Sequence, residues 1–147
     1  MPFSIRIQRA NIATGTAKGL CHLHANKIIH GDIKSGNVLL DRHFEPKIGD
    51  FGLARGGPNS PDYSHNTVTS ILGTEFYLPD DYKRNHHLQY TVDTFCFGIF
   101  LFELITGHGP SWVPPNSSPH TMRDVMLAPE TSSPKPWTDP KVEYSHW

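Results

Sequence analysis

Four polar side chains in one short stretch of this chain are spaced for chemistry. Asp32, Lys34 and Asn37 fall within His30-Gly31-Asp32-Ile33-Lys34-Ser35-Gly36-Asn37, and Asp50 opens the tripeptide Asp50-Phe51-Gly52 thirteen residues later. A carboxylate two residues before a cation can orient an attacking hydroxyl, while the cation meets charge spreading over a transferring phosphoryl group. Phosphoryl transfer needs little covalent help but close positioning and charge neutralisation. Mg2+ prefers hard oxygen ligands and keeps several waters, so one amide oxygen and one carboxylate suffice from a protein. Asn37 and Asp50 are the candidates for that pair, and Gly52 lets the chain turn sharply beside it. Taken singly, an Asp or Asn in a loop is an ordinary turn former. The set at this spacing is what points to magnesium-assisted phosphoryl transfer.

Such groups must be held by rigid elements. Ile28-Ile29, Val38-Leu39-Leu40 and Lys47-Ile48-Gly49 read as short strands, with residues 41–46 turning between the last two. A two-stranded platform would then hold both polar loops side by side. Upstream, Ile12, Ala13, Ala17, Leu20, Cys21 and Leu23 recur near a 3.6 period and predict a helix. Gly15 and Gly19 inside it mark close packing, at a cost in helix propensity. The run Gly15-Thr16-Ala17-Lys18-Gly19 is no phosphate-binding P-loop, because its lysine precedes the second glycine. Residues 91–106 are apolar nearly all round and predict a second, buried helix, too short and polar for a membrane span. Gly107 should end it as a C-cap.

These motifs together resemble the C-terminal lobe of serine/threonine protein kinases, and more closely the Pelle and interleukin-1-receptor-associated kinase group. The likeness runs over residues 9–107. It includes Asp50-Phe51-Gly52-Leu53-Ala54-Arg55, Gly73-Thr74-Glu75-Phe76-Tyr77-Leu78-Pro79 and Val92-Asp93-Thr94-Phe95-Cys96-Phe97-Gly98. His-Gly-Asp-Ile-Lys combined with Tyr-Leu-Pro-Asp points toward the insect-type Pelle branch. The resemblance implies ATP-dependent transfer to protein Ser/Thr hydroxyls, with Asp32 and Lys34 catalytic. Lys34, Asn37, Leu39 and Asp50 would hold ATP, Leu39 lying beneath the adenine, and Asn37 and Asp50 would hold Mg2+. It further implies that Thr74 bonds Asp32 and Lys34, that His30 packs on Phe51, and that Asp93 caps the backbone of the catalytic loop. Lys34 and Thr74 favour Ser/Thr over Tyr acceptors. Signalling below Toll receptors, with Toll-pathway adaptor proteins as partners, follows from the same likeness.

Two departures stand out. Gly31 replaces the arginine with which many kinases hold a phosphorylated activation segment, so a phosphate within residues 56–72 lacks that bidentate partner. Thr67, Thr69 and Ser70 are the candidate acceptors there, with Arg55 or Lys83 as alternative cations. Asp80-Asp81 stands where the family has Pro-Glu, which leaves Asp81 solvent-exposed or without its usual arginine.

The fold class expected is mainly α with a small β-hairpin region, a kinase-like C-terminal lobe without its N-lobe. Residues 1–107 form the partial kinase domain, and 108–147 a Pro-rich, poorly defined segment. Eight of the 13 prolines fall within residues 110–140, relieved only by a short helical pattern at 122–127 and a possible PPII stretch at Val113-Pro114-Pro115. A net charge of −1, from 13 basic and 14 acidic residues, carries no nucleic-acid or membrane-surface signature. The 10 histidines lack metal-site spacing. Cys21 and Cys96, on apolar helical stretches, read as buried free thiols. No leader is apparent, so a cytoplasmic location is expected. The 147 residues cannot also supply the lobe that covers ATP, so the chain alone should be inactive. Two functions remain open: a kinase recorded in part, and a noncatalytic lobe that competes for partners of the intact kinase.

Overall fold

A computed structural model describes residues 3–58, 60 and 70–112. The first helix, α1, spans Phe3–Ala25, longer at its N-terminus than the apolar period alone indicates. Ile12, Leu20 and Leu23 turn inward along it, and the Thr16 hydroxyl is buried by donating to Ile12 O at 2.8 Å. Cys21 lies beside Leu20 yet is exposed. The expected burial of this thiol is therefore corrected: one residue is about 100° of helical rotation, enough to leave the apolar stripe. The helix ends as Asn26 donates through Nδ2 to His22 O at 2.8 Å and Lys27 takes a positive φ of 60°.

Four short strands follow. β1 (Ile28–Ile29) pairs antiparallel with β4 (Arg55–Gly56), and β2 (Val38–Leu40) with β3 (Pro46–Ile48). The β2–β3 register sets Val38 opposite Ile48 and Leu40 opposite Pro46, one residue earlier in β3 than expected. Between them the Asp41 carboxylate accepts from His43 N at 2.8 Å and Glu45 N at 3.0 Å, which lets Phe44 turn at φ 62°. Ile28-Ile29 was expected as a strand, but its partner β4 carries no strand pattern in the sequence and was not anticipated.

α1 packs on β3, β1 and the last helix, α3, with a short α2 between the turns. α2 spans Asp80–Asn85, with acids in its first turn and Lys83 and Arg84 in its last, as the helix dipole favours. α3 spans Tyr90–Thr106 and ends on Gly107 at φ 73°, the left-handed cap expected. Its buried side carries Val92, Cys96, Ile99 and Phe100, of which the first three meet Leu20, Ile29 and Ile33 in the core. Burial raises the Cys96 thiol pKa strongly, and nearby Asp93 and Asp32 push the same way, so it stays a protonated, apolar thiol. No helix among the described residues is long and apolar enough to cross a membrane. Thr67, Thr69, the Val113-Pro114-Pro115 stretch and the 122–127 pattern lie outside the described residues.

Candidate functional site

The loop between β1 and β2 is fixed from beneath by α3. Asp93 is fully buried, and its Oδ2 accepts from His30 N at 2.8 Å while Oδ1 accepts from Gly31 N at 2.8 Å. His24 Nε2 donates to the same Oδ2 at 2.9 Å, which leaves this buried carboxylate well satisfied. Ten residues further along α3, Glu103 holds the other end of the loop. Its Oε2 accepts from the Tyr77 hydroxyl at 2.5 Å, and its Oε1 from Ser35 Oγ at 3.3 Å. Burial raises the Glu103 carboxyl, and the bonds from Tyr77 and Ser35 only partly oppose that. This second anchor was missed in the sequence. The available signal was Glu103 itself, an acid in an apolar helix that must find donors if buried.

Above these anchors Asp32, Lys34, Asn37 and Thr74 meet. Asp32 Oδ1 accepts from Thr74 N at 3.0 Å and Thr74 Oγ1 at 2.8 Å. Asp32 Oδ2 lies 2.7 Å from Lys34 Nζ and accepts from Asn37 Nδ2 at 3.0 Å. Lys34 Nζ also donates to Thr74 Oγ1 at 2.8 Å, closing a ring of three side chains. Burial alone would raise the Asp32 carboxyl. The bonds from Lys34, Thr74 and Asn37, with the Lys34 charge, outweigh it and hold the group below the ordinary carboxylate range.

Asp50 is brought to the same edge by backbone. Gly49 N donates to Asn37 O at 2.8 Å, and the His30 ring donates from Nε2 to Gly49 O at 2.9 Å. His30 Nδ1 accepts from Asp32 N at 3.3 Å, so one imidazole links both loops, and it packs on Phe51 with ring centres 5.1 Å apart. Asp50 is exposed, in the left-handed region at φ 58°, and its Oδ1 accepts from Gly52 N at 3.3 Å. The Asn37 amide nitrogen is committed to Asp32, to its backbone O at 2.8 Å and to Oδ2, which leaves Oδ1 as the free hard donor. An amide oxygen and an exposed carboxylate on neighbouring strand ends fit Mg2+. Leu39, at 60 % exposure, is not core. Ordinary core packing therefore does not explain it.

Gly31, which stands where many kinases carry an arginine, lies in the left-handed region with little room for a side chain. Its φ is 81°, and a Cβ there would lie 3.1 Å from Leu53 O. Ser70 is exposed. Asp81 is exposed and pairs locally with Arg84 at 2.6 Å.

The family model described as the protein kinase domain matches residues 3–144. The serine/threonine-protein kinase pelle of Drosophila melanogaster is 43% identical over 123 residues, which cover 81% of this chain and 24% of that protein. The proline-rich receptor-like protein kinase PERK7 of Arabidopsis thaliana is 48% identical over 105 residues, 69% of this chain and 15% of its own length. The probable serine/threonine-protein kinase PBL20 of the same plant is 46% identical over 100 residues, 68% of this chain and 25% of its own. The chain thus spans a quarter or less of the length of these relatives.

Proposed function

The chain belongs to the protein kinase domain family, and from that premise we propose that it is the C-terminal lobe of a serine/threonine kinase, part of a longer protein. The observation that carries this reading is the ring that Thr74 closes with Asp32 and Lys34 of a loop held from below at both ends. Asp32 stays ionised near neutral pH, as a group that orients an attacking Ser or Thr hydroxyl must. A carboxylate offers about four acceptor positions, and here Thr74 N, Thr74 Oγ1, Lys34 and Asn37 occupy them. A substrate hydroxyl therefore needs one donor to leave. Lys34 is the one on a flexible stem, and its side chain is 28% exposed. When the Lys34 ammonium turns to the phosphoryl oxygens of ATP, it frees Asp32 Oδ2 for the hydroxyl. Binding of nucleotide and of acceptor should thus reinforce one another.

Asn37 Oδ1 and Asp50 would hold Mg2+, which neutralises phosphate charge when bound. Leu39 offers an apolar floor for adenine. Ser/Thr specificity is supported by Lys34 and Thr74 and by the relatives' names. Signalling below Toll receptors with adaptor partners, in the cytoplasm, is supported by the likeness to pelle. A phosphate in the activation segment, on Thr67, Thr69 or Ser70, would turn to Arg55 or Lys83 instead of Gly31.

Each absent charge-assisted contact to ATP phosphate is worth about 1.5–3 kcal/mol, so the 147 residues alone should transfer negligible phosphate. Joined to the ATP-covering lobe of a pelle-type kinase, the chain should phosphorylate a Ser peptide. Asp32→Asn should then lower kcat by roughly 10²–10⁴-fold. Transfer unaffected by that substitution rejects the assignment. The alternative is a noncatalytic lobe, whose exposed apolar Leu39 and Phe51 would meet a partner instead of a nucleotide. It prevails if the two-lobed protein transfers nothing yet displaces the intact kinase from its partners.

A further inference from the structure

We propose that Tyr82 is a positioning residue for Asp32, acting through the backbone of residues 72–74; this rests on the reading of Asp32 as the group that orients the acceptor hydroxyl. Tyr82 points inward from α2 and is 1% exposed. Its phenol oxygen accepts from Leu72 N at 3.2 Å. Burial raises the hydroxyl pKa, so Tyr82 remains a neutral phenol while making this contact.

Leu72 stands two residues before Thr74, which supplies two of the four bonds to Asp32. Gly73 between them has a φ of 105°. Its missing side chain is a necessity, because a Cβ would lie 2.9 Å from Gly31 O and 3.0 Å from Leu78 Cδ2. A glycine in that region has no side chain to fix its direction, so its course depends on what holds its neighbours. Thr74 is held on one side by Asp32 and Lys34, and its carbonyl accepts from Tyr77 N at 2.9 Å. Leu72 is held on the other by Tyr82. Without the phenol oxygen, Gly73 loses its anchor on the Leu72 side, and the line along which Thr74 donates to Asp32 Oδ1 is set from the Thr74 side alone. A fully buried aromatic ring could serve packing alone, so a test must separate ring from hydroxyl.

The test uses the whole 147-residue chain at neutral pH, with Asp32 Cγ followed by 13C NMR and backbone amides by hydrogen exchange. Tyr82→Phe keeps the ring. The expected result is exchange at Leu72 and Thr74 about fivefold faster, the equivalent of one lost hydrogen bond of about 1 kcal/mol. The Asp32 Cγ resonance should move while Asp41, which is anchored in its own turn, does not. Ile99→Val, which trims the same core cluster but removes no hydrogen bond, should leave the Asp32 resonance in place. Unchanged exchange and an unmoved Asp32 resonance in folded Tyr82→Phe overturn the proposal. Should that variant not fold, 3-fluorotyrosine at position 82 weakens the acceptor and must move the same signals in the same direction; no movement overturns it equally. No nucleotide is present in these measurements, so they stand apart from whether the two-lobed protein transfers phosphate.

Discussion

Asp32 and Glu103 are both largely buried carboxyls, and their surroundings push them in opposite directions. Asp32 is held below its unfolded value of about 3.9. It contributes stability above that pH and loses it as pH falls through the folded value. Glu103 is raised by burial, so its contribution is full below about 4.3 and is lost as pH rises through its folded value. Glu103→Gln removes the buried charge and keeps an oxygen for the Tyr77 hydroxyl. The variant should melt at a higher temperature than the parent at pH 7, with the gap closing near pH 4. A Gln variant less stable by the same margin at both values would show that the charge is not what burial penalises. The polar set around Asp32 was legible in the sequence because each member has a separate chemical task at fixed spacing. Ser35, Tyr77 and Glu103 were not: their contacts span 26 to 68 residues, and no local pattern marks them.

At the level of elements, the seam between α1 and β3 is the tightest contact that the sequence announced. A Cβ on Gly15 would sit 2.5 Å from Pro46 Cγ, and one on Gly19 would sit 3.1 Å from Ile48 Cδ1. Helix propensity alone favours Gly15→Ala by about 1 kcal/mol. Overpacking typically costs about 1–3 kcal/mol, and the rigid proline ring cannot step aside. The variant should therefore unfold at lower urea than the parent, and a raised urea midpoint would refute the seam. Two glycines in a helix foretold a close neighbour, but not which one, since that depends on tertiary packing. The β1–β4 pair was hidden for a related reason. Arg55 and Gly56 have no strand preference, and the Gly57 N to Lys27 O bond of 2.7 Å that extends the pairing is set by loops on both sides.

The whole molecule presents apolar groups on the edge that bears Asp50. Leu39 and Phe51 are 60% and 49% exposed. Side chains of this size left in water promote association. Light scattering should show concentration-dependent self-association of the purified chain, reduced in Leu39→Lys. A monodisperse parent at high concentration would mean that this edge is not adhesive. Asp93 and Glu103 grip the two ends of one loop from a single helix, about 15 Å apart at 1.5 Å per residue. That makes α3 a ruler with two fixed marks. Inserting or deleting one residue between the marks would swing one of them by about 100° and leave the loop with only one of its two tethers to this helix. Length variation should therefore be far less tolerated inside this helix than substitution, whatever the inserted residue is.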